Sequence, residues 1–409
     1  VVPSGEVRAG HGSTQVELNP FAHEFHADPY PTYRYLRDQA PLYRNDALDF
    51  WALSRFRDVF DASLDWQTYS SAEGTTLERM NPAMFEITPM LLFLDPPRHD
   101  RLRRLVSRAF TPRRVAEQEP FVRRTVRRLL EPLRAQGGGD FVRDFSAPLP
   151  MEVIFTMLGV PADDRRTLRG WMDAALERDR DTPVIPPRAI EASMHLHRYW
   201  FRFVGALRER PNDGLVSALL DAQVETDDGG TTRLGDGEIV GFCALLGAAG
   251  NETVTKLLAH AAVLCARHPE QWAKIRADAA CIPGAVEEVL RHGSPSQYQG
   301  RTAMRDVEWY GTVVPAGARF LLLTGAANRD EREFPDPDRF DVERRISHAL
   351  GFGQGIHFCL GASLARLESR VALEEFAQAF PHFRIDESRC ERVHMSNVHG
   401  FESVPFEAA

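Results

Sequence analysis

Apolar residues recur at intervals of three and four along most of this chain. RLRRLVSRAF (101–110), FVRRTVRRLLEPLRAQ (121–136), MEVIFTMLGV (151–160), GAVEEVLRHG (284–293) and ASLARLESRVALEEFAQAF (362–380) all carry that spacing and read as helices. The run from Ile239 to Cys265 is apolar nearly all round, the pattern of a helix buried through the middle of a large protein. Strand patterns are short and clustered: FWALSRF (50–56), and VEWYGTVVPAGARFLLLTGAANRD (307–330), punctuated by Gly311 and Pro315. Loop signals fall at GGGD (137–140), PVIPP (183–187) and ETDDGGTTRLGDG (225–237), none long enough to tether separate domains. The pattern predicts a mainly α fold with small β-sheets, organised as a flexible N-terminal segment, 1–20, ahead of one folded unit, 21–409.

Composition narrows the class. The chain has 409 residues, 43% of them hydrophobic, enough to bury a large core. A net charge of −9 argues against a general nucleic-acid binder, which needs a basic surface for phosphates. The first twenty residues lack an apolar signal core, and no later run is long enough to anchor in a membrane. Five cysteines without CxxC spacing, an odd number, fit a reducing compartment, so the expected location is cytoplasmic.

One cysteine stands apart. In GFGQGIHFCLG (351–361) Cys359 sits in a glycine-rich loop ahead of a helix. A lone buried cysteine is ordinarily a small core hydrophobe, but Gly351, Gly353 and Gly355 permit backbone angles and close approaches that a packing position does not need. A helix start offers free N–H groups and positive potential, which favour thiolate. A phosphatase-type loop fails by register, because position +6 is Ala365 and the arginine follows at Arg366. Structural zinc lacks further ligands nearby, and CxxCH is missing. A metal needing one protein ligand, with the rest supplied by a macrocycle, meets the description, and thiolate-bound haem iron is such a metal.

FGQGIHFCLGASLAR (352–366) closely resembles the haem-binding signature of the cytochrome P450 monooxygenases, with Phe352, Gly353, Gly355, His357, Cys359 and Gly361 in place. Three further motifs follow the family's order, so the resemblance runs from about residue 20 to the end. It implies the P450 fold, with haem b held between the long central helix and the cysteine loop and Cys359 as the axial ligand. In LLGAAGNETVTKLL (245–258), Glu252 and Thr253 resemble the family's acid–alcohol pair, which delivers protons during dioxygen activation; here the acid is glutamate. Read without the resemblance, Glu252 marks a helix end reaching solvent and Thr253 bonds back to the preceding turn.

In VEEVLRHGSP, Glu288 and Arg291 lie three apart on one helical face. Exposed, such a pair contributes little; the resemblance makes it a buried clamp completed by a later arginine, Arg339 in FPDPDRFD. In LDPPRHDRLRRLVSRAF, His99 and Arg103 share a face in what is otherwise an ordinary basic helix. By resemblance they bind the haem propionates together with Arg301 and His357. The neighbouring Arg98, Arg101, Arg104, Arg108, Arg113 and Arg114 form a basic stretch that the resemblance assigns to an acidic, ferredoxin-type electron donor.

The pocket is expected from five stretches. The first contributes Met84, Phe85, Met90, Leu92 and Phe93, apolar positions that are equally compatible with ordinary core. The central helix contributes Leu245, Ala248 and Ala249, the SPSQYQGR segment contributes Gln297 and Tyr298, and the late SNVHGF turn contributes Val398; the PVIPP connection is the fifth. Gln297 and Tyr298 add polar reach. The implied activity is hydroxylation or epoxidation of an apolar small molecule (terpenoid, steroid, fatty acid or polyketide-like) with O2 and two electrons from a separate protein. A peroxide-driven haem-thiolate enzyme and a non-catalytic haem sensor or ligand carrier are the alternatives.

Overall fold

The computed structural model describes residues 16–78, 86–107, 110–179, 184–225 and 230–409. Its principal helices, in chain order, are α1 (Arg98–Ser107), α2 (Glu119–Gln136), α3 (Pro148–Leu158), α4 (Ala162–Leu176), α5 (Pro187–Glu209), α6 (Asp236–Arg267), α7 (Ile282–Gly293) and α8 (Ala362–Ala379). Proline stands in the first turn of α2, α3, α5 and α7, where its missing N–H has no partner to lose and its fixed φ already suits the helix.

The 3.6-residue periodicity becomes buried faces. Leu102, Leu105 and Val106 of α1 and Val122, Val126, Leu130 and Leu133 of α2 enter one large core. Each such side chain stabilises the fold by about 1.5–3 kcal/mol relative to exposure. The long α6 runs through that core and packs on α3, α5, α7 and α8. Its glycines have a steric reason. A methyl group on Gly250 would stand 2.5 Å from Ile154 Cδ1 of α3, and one on Gly247 3.3 Å from Met172 Cε of α4. The helix propensity lost, about 1 kcal/mol per glycine, is offset by this close approach.

The main sheet contains β1 (Leu42–Asn45), β2 (Phe50–Leu53), β3 (Tyr69–Ser70), β4 (Gln299–Ala303) and β5 (Arg319–Leu322), in the spatial order β1-β2-β5-β4-β3. β5 runs parallel to β2, with Phe320 opposite Trp51, and antiparallel to β4, with Arg319 opposite Thr302. This pairing brings the 50–56 and 307–330 strand patterns together and sets Arg301 on a central strand.

The N-terminal expectation needs correction. Leu18 is fully buried in a core with Tyr33, Leu36 and Phe50, and its carbonyl accepts a hydrogen bond from Asn45 Nδ2 at 3.0 Å. The packed unit therefore begins before residue 20; residues 1–15 lie outside the described ones.

Candidate active site

The cysteine loop is a chain of tight turns closed by backbone hydrogen bonds. Gly353 and Gly355 have φ of +68° and +73°, a region side chains disfavour. A Cβ at Gly355 would also meet the carbonyl oxygen of Ser63 at 2.5 Å. Cys359 N–H donates to Phe352 O at 2.9 Å, and Phe358 N–H to Gly355 O at 3.0 Å. The sulfur precedes α8, with Gly361 as that helix's N-cap, and is reached by the backbone amides of Gly361 and Ala362. Burial nevertheless pushes the Cys359 thiol up, and those amides with Arg103 and Arg366 pull it down without reversing the shift. The helix-start argument thus names a real but minor influence: the sulfur becomes a thiolate when a cation such as a metal binds it. Arg366 lies 4.6 Å over the Phe352 ring and pairs with Glu287 at 2.6 Å.

Beside this loop the fold gathers basic side chains. His99 and Arg103 come from α1, Arg301 from β4 and His357 from the loop itself. The His99 and His357 rings are 4.7 Å apart, edge to face. His99 Nδ1 bonds Asp100 at 2.9 Å, while its Nε2 is buried with no partner. Arg103 Nη2 donates to Phe358 O at 2.6 Å, and Arg301 Nη1 to Gly300 O at 2.7 Å. Burial lowers the pKa of both arginines, Arg301 to about 10 against the opposing pull of Asp95. Burial, followed by Arg301, His99 and Arg103, lowers His357 to about 3. Four basic groups so placed disfavour one another's charge, and a dicarboxylate between them would relieve it. An unpartnered imidazole nitrogen and two arginines bonded only to backbone fit the two propionates of a haem. Ser71, whose Oγ lies 3.0 Å from His357 Nε2, also belongs to this group, and nothing in the SSAEG stretch signals it.

Glu252 and Thr253 lie in the interior of α6, which excludes the helix-end reading of Glu252. Thr253 Oγ1 donates to Ala249 O at 3.0 Å, the back-bond open to any helical threonine. Lys256 Nζ stands 3.0 Å from Glu252 Oε2, a cation that sequence reasoning passed over although it lies at i+4. Ala248 and Ala249 are exposed although they sit mid-way along the most buried helix, and Leu245 is half-buried. The helix thus presents an accessible small-residue surface one turn from Glu252 and Thr253.

The clamp forms with one change of partner. Arg291 Nε and Nη2 donate to Glu288 Oε2 and Oε1 at 2.7 and 2.8 Å, and both side chains are fully buried. The second cation on Glu288 is Arg344, whose Nε reaches Oε1 at 3.2 Å. Arg339 instead points its guanidinium to solvent beside Asp341, 3.6 Å away, and only its carbonyl faces Arg291 and Arg344. The chain turns between Asp336, which has φ of +47°, and Asp341, reversing the side expected of Arg339.

The expected pocket residues divide. Met90 and Leu92 are half-buried and Phe93 is buried; Met84 and Phe85 lie outside the described residues. Tyr298 is corrected from reach to structure, whereas Gln297 is held by its two nitrogens and keeps a buried Oε1 with no hydrogen-bond partner. Gln297 Nε2 is spent on Ser294 O, and its backbone N–H donates to Asn397 O at 2.8 Å. Tyr298 is 1% exposed within the Leu18 core, and its hydroxyl accepts from Leu77 N–H at 3.4 Å. Val398 is buried and bridges to Ser296. The basic stretch also shrinks. Arg101 is committed to Glu238, and Arg98 lies 3.9 Å from Glu86. Arg108 lies outside the described residues; Arg104, Arg113 and Arg114 are exposed, Arg113 pairing with Glu117 at 3.2 Å.

Comparison with known proteins agrees with this geometry. The cytochrome P450 family model matches residues 198–400. Putative cytochrome P450 123 of Mycobacterium tuberculosis is 44% identical over 396 residues, covering 96% of this chain and 97% of its own. The vitamin D(3) 25-hydroxylase of Pseudonocardia autotrophica is 38% identical, covering 88% of each. The structure of CYP109Q5 from Chondromyces apiculatus superposes with a TM-score of 0.86 at 33% identity, covering 96% of this chain and 98% of that one. With a cysteine loop, a basic cradle and a central helix of this kind, and relatives matched along almost their whole length, the chain belongs to the cytochrome P450 family and is a P450 monooxygenase.

Proposed function

We propose that this monooxygenase binds haem b through Cys359 and uses O2 with two electrons from a ferredoxin-type donor to hydroxylate or epoxidise a largely apolar small molecule. Bound there, the haem supplies the iron centre at which dioxygen is reduced and an oxygen atom is transferred. His99, Arg103, Arg301 and His357 hold its propionates, Phe352, Gly353 and Gly361 shape the loop around the sulfur, and Arg366 stiffens that loop by stacking on Phe352. Glu252 and Thr253 move protons from the interior of α6 toward the accessible surface at Ala248 and Ala249. Glu288, Arg291 and Arg344 fix the chain behind the cysteine loop. Exposed Arg104, Arg113 and Arg114 receive the acidic electron carrier.

The observation that carries this reading is the set of four basic groups around the Cys359 loop, His99 and Arg301 buried and Arg103 and His357 half-buried, with His99 Nε2 left unpartnered. Among the described residues no helix is long and apolar enough to cross a membrane, and all five cysteines are free; we assign the work to the cytoplasm on the cysteines. A relative named as a vitamin D(3) 25-hydroxylase supports a lipophilic substrate.

The test combines binding and turnover. The haem-loaded, reduced protein should give a strongly red-shifted carbon monoxide band that C359S abolishes. T253A should keep that band and lose product relative to electrons consumed, releasing peroxide instead. An unshifted band in the wild type, or unchanged coupling in T253A with substrate present, would overturn the reading.

A further inference from the structure

Two of the stretches expected to line the pocket, and the segment after α4, meet at one carboxylate. Glu78 belongs to the first of those stretches, Ser396 to the late SNVHGF turn, and Arg178 follows α4. Ser396 Oγ donates to Glu78 Oε1 at 2.8 Å. Arg178 Nε stands 3.7 Å from the same oxygen, too far for a hydrogen bond, while Arg178 Nη1 is committed to the carbonyls of Ala175 and Glu177 at 3.1 and 2.8 Å. The Glu78 side chain is 7% exposed and that of Arg178 19%. Both nevertheless keep one buried polar atom with no hydrogen-bond partner: Oε2 of Glu78 and Nε of Arg178.

A carboxylate oxygen and a guanidinium N–H left bare in the interior are costly, and native folds keep such pairs where something else completes them. The two bare atoms have opposite needs: Oε2 accepts and Nε donates. A hydroxyl group satisfies both at once, donating its proton to Glu78 and accepting from Arg178. A purely hydrocarbon guest satisfies neither, and a carboxylate guest would repel Glu78.

We propose that Glu78 and Arg178 form a subsite for a hydroxyl group of the substrate, so that this enzyme selects an apolar skeleton that already carries an alcohol. The inference rests on the monooxygenase reading and sharpens its substrate class. It also assigns an upstream chemistry: the substrate must come from a reaction that leaves or installs a hydroxyl on a lipophilic skeleton.

Matched ligand pairs test it on the haem-loaded full chain: steroid alcohols against the corresponding deoxysteroids, and long-chain alcohols against the alkanes, titrated by the shift of the ferric absorption band. Wild type should bind the alcohol of at least one pair tenfold or more tightly. E78Q, R178M and the charge-balanced double variant E78Q/R178M should bring the pair together while leaving the affinity for the deoxy member unchanged. The double variant carries no lone buried charge, so it decides the matter if either single variant fails to fold. Equal binding of both members by wild type across all pairs, or preference retained in the double variant, would overturn the subsite; in the second case the two groups hold only water. A wild type without the red-shifted carbon monoxide band would instead overturn the monooxygenase reading and this subsite with it.

Discussion

Lys256 Nζ lies 3.0 Å from Glu252 Oε2, one turn further along the central helix, and both side chains are largely buried. The pair explains how a carboxylate is accommodated in the middle of an apolar helix, where an unpaired charge would be expelled or neutralised.

Replacing the cation alone should therefore be worse than replacing both partners. K256M is expected to cost about 2 kcal/mol, because it leaves a mostly buried carboxylate without its partner, and E252Q/K256M should recover more than half of that. Denaturant unfolding of the four members of the cycle measures this. Additive single and double effects would mean that the two groups do not interact.

Arg339 and Arg344 give a sharper contrast. Arg344 is 12% exposed and bonds Glu288 as well as the carbonyls of Pro335 and Asp336, at 2.7 and 3.0 Å. R344A should cost about 3 kcal/mol and lower haem retention, since it strips a cation from a fully buried carboxylate. R339A, at a side chain 64% exposed, should stay within about 0.5 kcal/mol of wild type. Thermal unfolding and haem content report both, and equal losses would restore Arg339 to the clamp.

The clamp also marks how far sequence reaches. Glu288 and Arg291 were readable because three residues of helix fix their mutual position. Gly353 and Gly355 were readable because their positive φ is a local demand that only glycine meets cheaply. The third cation depends on a nine-residue excursion, 336–344, that either arginine could have closed, and local pattern does not determine which side chain turns inward. Tyr298 failed for a related reason. A polar aromatic near an expected site looks the same in sequence whether its hydroxyl faces a guest or, as here, the Leu77 amide. The Glu78–Arg178 meeting was out of reach because it joins positions 100 residues apart through tertiary packing.

Buried histidines should make the fold acid-labile. Burial lowers His26 to about 4 and His260 to about 3, and pushes His292 and His399 the same way. In the unfolded chain they protonate near 6.5, so below that pH the unfolded state takes up more protons and stability falls as pH decreases toward the folded values. His26 and His260 together should remove roughly 3 kcal/mol between pH 6.5 and pH 5. Unfolding free energies measured over that range should show the decline, and H260Q should make it shallower. Profiles of equal slope for wild type and H260Q from pH 6.5 to pH 5 would mean that the His260 ring is already protonated in the fold.

Glu368 titrates with the opposite slope. It lies in α8, is 1% exposed, and its Oε2 has no hydrogen-bond partner; burial raises its pKa from 4.5 to about 8. The folded state therefore keeps the proton that the unfolded chain releases above 4.5, and stability is lost as pH rises from 4.5 to about 8, beyond which the penalty is constant. At pH 7 the cost is roughly 3 kcal/mol. E368Q has the same shape and no charge to suppress, so it should match wild type near pH 4.5 and become the more stable protein as pH approaches 8. Melting temperatures of the two at pH 5, 6.5 and 8 read this directly. A constant offset between them across all three would show that Glu368 does not change protonation on unfolding and that a cation, not burial, governs it.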